Sequence, residues 1–366
     1  MQNLVCDFLV VGAGFAGSVV ARNLADNGFK VLVIDSRPHI GGNAHDSYDE
    51  NGILIHNYGP HIFHTSSSVV YKWLSRFTKW RGYEHKVLSS INGELVSFPI
   101  NTKTIKSLYG LELTIDQMHD FINARKVAIT DIKTSLDLVL ASVGQELADI
   151  FYTNYTLKQW GIGLAELSPG VAARIPVRFN DDDRYFTDKY QVMPLYGYTY
   201  MFENILDHPC ISLKTSVDYA DISKHVTRKH TIFTGPIDMY FRYCFGKLEY
   251  RSLKFEHEHM NSIDKYQESG TVNFPNDYSY TRITEFKHMT GQVCAGTSIV
   301  REYPSSEGDP YYPIPQKKNT DLYFKYKILA AQQKNVTFIG RLAEYRYYNM
   351  DQVVSKALQQ TKKLIK

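Results

Sequence analysis

Glycines at the spacing Gly12-x-Gly14-x-x-Gly17, an acidic side chain at Asp35 and a further glycine pair at Gly41-Gly42 form a pattern suited to holding a pyrophosphate. Each of the first three glycines answers a separate demand: Gly12 permits a tight turn, Gly14 lets backbone approach phosphate, and Gly17 lets a helix lie close on a strand. The amides of Phe15, Ala16 and Gly17 fall in the first turn of that helix, where they lack acceptors of their own and face the phosphates. Asp35, about 20 residues on, can accept ribose hydroxyls, and Ser36, Arg37, Gly42 and Asn43 flank the same ligand. Together these residues read as a dinucleotide cradle of the FAD type.

The elements that must position them follow from apolar runs and punctuation. Leu4 to Val11 suits a buried parallel strand, Phe15 to Asn27 a helix ended by Gly28, and Lys30 to Ile34 a second strand. Two later segments, Thr231–Pro236 and Asn335–Arg341, repeat the strand-then-glycine form, and Met350 to Lys363 has helical spacing. The cradle is therefore expected to be discontinuous: 1–82 with 200–248 and 328–366. Between its parts, 102–170 reads as a small helical domain, with helix-compatible stretches at Thr114–Ala128, Ser135–Ala141 and Gln145–Tyr155. A mostly antiparallel sheet domain is expected over 83–101, 171–199 and 249–327, its strands near Lys86–Ile100, Tyr185–Met193, Tyr250–His259, Gly270–Phe274, Tyr280–His288 and Gln292–Tyr303. The fold class is α/β, a Rossmann-like domain with helical and sheet insertions.

Composition narrows the functional classes. A chain of 366 residues with 43% hydrophobic content can build a large core, and a formal charge of +3 gives no electrostatic reason to propose nucleic acid. The four cysteines lie far apart without a CxxC pair, which speaks against zinc or a disulfide scaffold and suits a reducing cytoplasm. No basic leader precedes the first apolar run, and no stretch approaches the length of a membrane helix, so neither a signal peptide nor membrane insertion is expected. The 27 tyrosines are an excess useful for half-buried packing and for lining polar clefts.

Outside the cradle six stretches stand out: Gly59-Pro60-His61-Ile62-Phe63-His64-Thr65, Tyr155-Thr156-Leu157-Lys158-Gln159-Trp160-Gly161, Arg174-Ile175-Pro176-Val177-Arg178-Phe179, Tyr280-Thr281-Arg282, Asp309-Pro310-Tyr311-Tyr312-Pro313 and the run from Gly340-Arg341 to Tyr347-Tyr348. At these residues, in this order and at these distances, the chain resembles the UDP-galactopyranose mutase family. Taken alone, Arg174 and Arg282 read more readily as surface ion pairs, although a guanidinium fork matches phosphate oxygens. The resemblance reverses that reading and implies that both arginines clamp a UDP diphosphate, with Tyr185, Tyr312 and Tyr347 reaching the same phosphates. It further implies that Tyr155 stacks on uracil beside Phe151, Tyr152 and Thr156, that Trp160 and Asn273 lie near the ligand, and that His61 lies over the flavin. His56, Tyr58, Gly340, Arg341, Met350 and Asp351 are its remaining cofactor contacts. With no carboxylate at metal-ligand spacing, His61 and His64 are expected to hydrogen bond and not to hold a metal.

No Ser-His-Asp set, motif lysine or paired carboxylates offers a protein nucleophile. The resemblance implies that N5 of reduced FAD attacks the anomeric carbon, giving a flavin–sugar iminium through which UDP-galactopyranose and UDP-galactofuranose interconvert. It also implies an external reductant and a homodimer. Asn349 stands where the family usually has Asp, which leaves open UDP-N-acetylgalactosamine or a dTDP-deoxyhexose as the sugar nucleotide. An amine-oxidase-like flavoenzyme uses the same cradle and is the rival from another class.

Overall fold

A computed structural model describes residues 4–365, so the outermost residues of the expected cradle lie outside the described residues. Its base is a five-stranded parallel sheet in the order Ile211–Lys214, Val31–Ile34, Phe8–Val11, His230–Phe233, Val336–Phe338. The central strands are continuous apolar runs because both faces are covered. Val10 and Val33 face a core shared with the helix Phe15–Asp26, while Leu9, Leu32 and Ile34 face Ile222 and Val226. The late segments join as expected: Val336–Phe338 pairs with His230–Phe233, and the helix Met350–Leu364 packs on Phe15–Asp26.

The glycine turn governs how closely these layers meet. Gly12 has φ +106°, and a Cβ there would stand 2.0 Å from Thr234 Oγ1. A Cβ on Gly17 would stand 1.8 Å from the carbonyl oxygen of Gly12, so the helix can approach its strand only without a side chain at that position. The strand expected over Leu4–Val11 is divided at Asp7. Its carboxylate accepts the Lys30 amide at 2.9 Å and pairs with Lys229 at 2.8 Å, and Leu4–Val5 leaves to pair with Val226–Thr227.

The second sheet has seven strands, ordered Tyr312–Pro313, Tyr250–Met260, Thr297–Ser305, Arg282–Glu285, Thr271–Asn273, Val87–Ile91, Glu94–Phe98. Its pairings are antiparallel except that between Thr271–Asn273 and Val87–Ile91. Two expected strands differ. Tyr280–His288 is a strand only over Arg282–Glu285 and continues as the helix Phe286–Thr290, whose Phe286 and Met289 are buried in the main core. Tyr185–Met193 contributes Tyr190–Pro194 to a separate sheet between Phe63–Thr65 and Trp80–Gly82, where Tyr190 stacks on Tyr71 at 4.0 Å.

The helical part contains Thr102–Tyr109, absent from the expected set, then Ile115–Asn123, Ser135–Ala148 and Asn154–Trp160. The single helix expected over Gln145–Tyr155 is interrupted by a π turn at Asp149–Thr153. The wider turn lets Phe151 enter the core with Phe98 while Tyr155 points elsewhere. Ile105, Met118, Ile122, Val139 and Leu147 pack against Val96, Phe98 and Ile100, fixing the helices on the end of the seven-stranded sheet.

Gly17→Ala is expected to force helix and strand apart. The purified variant should melt at a clearly lower temperature and lose bound flavin, in keeping with about 1–3 kcal/mol for overpacking a tight contact. Unchanged melting and full flavin loading would show that the contact relaxes without cost.

Candidate active site

At the cradle, Asp35 accepts the amide of Ala13 at 2.7 Å and that of Arg37 at 2.9 Å, so the carboxylate pins the glycine turn to the next loop. Arg37 lies 4.4 Å over the Tyr58 ring, donates to Asn43 Oδ1 at 2.9 Å and pairs with Asp309 at 2.8 Å. A Cβ on Gly14 would meet Gly42 Cα at 3.6 Å, which puts the two glycine turns side by side. The paired turns, the free amides at a helix start and the acidic residue suit a dinucleotide.

Beyond the glycine turns opens a cavity of about 710 Å³. All twelve expected substrate residues line it: Phe151, Tyr152, Tyr155, Thr156, Trp160, Arg174, Tyr185, Asn273, Arg282, Tyr312, Tyr347 and Asn349. They come from the π turn and helix that follow Ser135–Ala148, from the connection between that helix and the strand Tyr190–Pro194, from three sheet strands and from the loop before the last helix. Tyr58, His61, Arg341 and Met350 line the same space.

Arg282 is the electrostatic centre of this cavity. Its Nη2 donates to the Tyr155 hydroxyl, its Nε lies 3.8 Å from Glu302 Oε2, and that Nε has no hydrogen-bond acceptor. Burial opposes its charge, but the guanidinium stays protonated, favoured by the Glu302 carboxylate beside it. Glu302, 2% exposed, is pushed up by burial and held down by Arg282, and its Oε1 is unpartnered. Asn273 Oδ1 is unpartnered as well. Three buried polar atoms lacking partners in one cavity are what a polar ligand would satisfy.

Around Arg282 the tyrosines stay neutral donors, because burial raises the hydroxyls of Tyr155, Tyr185 and Tyr312 above their ordinary range. Tyr347 lies beneath two guanidiniums, Arg174 at 3.9 Å and Arg341 at 4.9 Å, and meets Tyr312 edge-on at 5.3 Å. Arg174 is exposed and donates to Asn349 Oδ1. Gln352 reaches back to the Asn349 amide at 3.0 Å, so Asn349 both starts the last helix and holds Arg174.

His61 is locked from three sides. Its amide donates to His56 Nδ1 at 3.0 Å, its carbonyl accepts from the Tyr198 hydroxyl at 3.0 Å, and its Nδ1 faces the Gly59 carbonyl at 2.9 Å. A neutral ring in that setting carries its proton on Nδ1, leaving Nε2 as an acceptor. Burial lowers His61 to about 3, His56 to about 4 and His85 to about 3.

Several expected cofactor residues stand behind the site. Phe15 packs against Phe202 at 4.8 Å, so only its backbone belongs to the cradle. His56 is buried against Tyr198 and Phe286, and serves through the His61 amide. Asp351 accepts from Thr65 Oγ1 at 2.9 Å and ties the last helix to the Phe63–Thr65 strand. His64 is paired after all with a carboxylate, Asp188 at 2.7 Å, which lies 124 residues away and was invisible to spacing. Among the described residues no three His, Cys, Asp or Glu side chains converge as a metal site, and no helix is long and apolar enough to cross a membrane. Glu302, His85 and Gln159 line the cavity and were missed. Glu302 looks in sequence like one more residue of an alternating strand, and only its register opposite Arg282 distinguishes it.

Comparisons with known proteins agree with this geometry. Residues 150–347 match the family profile of UDP-galactopyranose mutase, and residues 10–77 match an NAD(P)-binding Rossmann-like domain. The chain is 38% identical to a probable UDP-galactopyranose mutase of Klebsiella pneumoniae, over 96% of this chain and 93% of the relative. It is 37% identical to a dTDP-fucopyranose mutase of Escherichia coli, over 96% of each. The crystal structure of a reduced UDP-galactopyranose mutase superposes with TM-score 0.78 at 17% identity, covering 99% of this chain and 94% of the other. A putrescine oxidase reaches 0.62 at 15% identity, covering 99% of each, a likeness of fold alone.

The depressed histidines make stability pH-dependent. An unfolded histidine takes up its proton near 6.5, whereas these three stay neutral in the fold until pH 3–4, so their contribution is complete above pH 6.5 and lost as pH falls below it. Unfolding free energy should drop by up to about 1.4 kcal/mol per pH unit for each histidine. Urea titrations between pH 7 and 4 check this, and His56→Asn, which keeps an acceptor near Nδ1, should reduce the slope by about one proton.

Proposed function

The chain belongs to the UDP-galactopyranose mutase family, and on that premise we propose that it interconverts UDP-galactopyranose and UDP-galactofuranose with reduced FAD in the glycine cradle. The observation that carries the reading is Arg282: a half-buried cation whose buried Nε has no acceptor, ringed by neutral tyrosine hydroxyls, in a cavity that opens beside a dinucleotide cradle. An amine oxidase has no use for such an anion site.

Gly14, Gly17, Gly42 and Asn43 would hold the pyrophosphate of FAD, Asp35 and Arg37 its adenosine end, and Tyr58, His61, Arg341 and the start of Met350–Leu364 its ring. Bound and reduced, FAD supplies a nucleophile for the anomeric carbon and undergoes no net redox change. The protein's own share is binding and electrostatics. Arg282 and Arg174 grip the diphosphate and take up charge as the anomeric C–O bond breaks, Tyr185, Tyr312 and Tyr347 donate hydroxyls around it, and Tyr155 stacks on the uracil. Trp160 and Tyr312, with ring centroids 6.1 Å apart, wall off the sugar from water. His61 Nε2, with Nδ1 taken by the Gly59 carbonyl, would be left as an acceptor beside the ring of the cofactor. Asn349 holds Arg174 without neutralising it, which leaves its charge to the phosphates.

The second reading is a mutase of the same kind for a dTDP-deoxyhexose, favoured by the Escherichia coli relative at 37% identity. UDP-N-acetylgalactosamine completes the substrate panel. The proposal also entails a cytoplasmic homodimer kept active by an external reductant, its furanose product feeding envelope polysaccharide assembly.

Anaerobic turnover of UDP-galactofuranose, with and without dithionite, tests the reading. Conversion only after reduction is expected, and conversion of dTDP-fucofuranose alone would move the assignment to the second reading. Arg282→Ala should retain FAD while turnover falls by at least about 30-fold, the lower end of about 2–5 kcal/mol for removing one partner of a buried charge pair. Activity within a few fold of the parent would remove Arg282 from the diphosphate clamp.

A further inference from the structure

One cation beside the cavity is occupied entirely by backbone. Lys158 lies on the helix Asn154–Trp160, between Tyr155 and Trp160. Its Nζ donates to the carbonyl of Phe274 and lies 2.9 Å from the carbonyl oxygen of Asp277, 3.3 Å from that of Tyr278 and 3.3 Å from that of Tyr280. These carbonyls belong to the connection that leaves the strand Thr271–Asn273 and enters the strand Arg282–Glu285. The connection has no helix or strand of its own and bends through Tyr278 at φ +56°. Carbonyl dipoles converging on one point repel one another unless a cation sits among them, as in the carbonyl rings that hold potassium. The ammonium therefore acts as an internal counter-ion for this loop.

The loop's two ends are Asn273 and Arg282, both lining the cavity, both with an unpartnered buried polar atom. The same helix is seamed to the loop by Asn154 to Asn276 at 3.0 Å, and its last carbonyls are held by Arg251, whose Nε donates to Gln159 at 3.1 Å. Lys158 thus joins the aromatic wall of Tyr155 and Trp160 to the polar wall of Asn273 and Arg282.

We propose that Lys158 is a positioning residue for sugar-nucleotide binding, its ammonium fixing the 274–281 loop so that Asn273 and Arg282 face the ligand. The inference rests on the sugar-nucleotide reading of the cavity. It deepens that reading by assigning nucleotide affinity in part to a side chain whose ammonium is engaged by loop carbonyls.

The test is a titration of UDP and dTDP into oxidised, FAD-loaded protein, followed by flavin and tryptophan fluorescence, together with kcat and KM of the reduced enzyme. In Lys158→Met the nucleotide Kd and KM are expected to rise about tenfold or more, kcat to fall by a smaller factor than KM rises, and FAD content to be kept. Lys158→Arg, which keeps a cation within reach of the carbonyls, should recover most of the affinity. In Lys158→Ala, ethylammonium should restore binding and tetramethylammonium, which has no N–H, should not. Parental nucleotide affinity in Lys158→Met overturns the proposal. So does a loss that neither Arg nor ethylammonium repairs, or a fall in kcat with KM unchanged. If Met and Ala do not fold, parental affinity in FAD-loaded Lys158→Arg supports the proposal, and a tenfold loss there overturns it. Failure of the parent protein to bind either nucleotide would instead strike the sugar-nucleotide reading itself.

Discussion

A guanidinium is tolerated in a protein interior only where partners compensate its charge, and the cavity is organised around that requirement at Arg282. Glu302 supplies a carboxylate at 3.8 Å from the neighbouring strand, Tyr155 supplies an oxygen from a helix, and burial keeps the surrounding tyrosines neutral. The compensation is incomplete, because the Arg282 Nε and one Glu302 oxygen remain unpartnered. A site with that residual polarity is pre-organised for an anion, since the desolvation of the arginine is met on folding and not on binding.

The cradle contributes a second constraint, geometric and not electrostatic. The helix Phe15–Asp26 lies on its strand at a distance that only glycine allows at position 17, and Asp35 fastens the turn through two backbone amides. Because strands from three distant parts of the chain complete the parallel sheet, the inserted sheet and helices are anchored on a common base. That is how residues as far apart as Tyr58, Tyr155, Arg282 and Tyr347 line one cavity. His61 is held there by backbone hydrogen bonds at both its amide and its carbonyl, a degree of fixation that suits a group beside a cofactor ring.

Elements with strong local signals were legible in advance. The glycine turn, the helix with its terminal glycine, the late Gly-Arg strand and the helix from Met350 all rest on patterns within a dozen or so residues, where period and punctuation act directly. The π turn at Asp149–Thr153 and the departure of Leu4–Val5 from the main sheet were not legible, because each is decided by a partner far along the chain: Phe98 for the first, Val226 for the second. The strand Tyr190–Pro194 joined Phe63–Thr65 for the same reason, a β-run carrying no record of which edge it will meet.

By itself the sequence determined the class of cofactor and the family, because glycine spacing and motif order are local and linear properties. It also held every side chain that the expected substrate site needed. Only the tertiary structure decided how those side chains are poised. It put Glu302 behind Arg282, Asp188 on His64, His56 under His61 and Lys158 inside a ring of loop carbonyls. Charge and protonation depend on burial and on neighbours within a few ångströms, and those neighbours are chosen by strand register and helix packing across more than a hundred residues of chain, which no local pattern encodes.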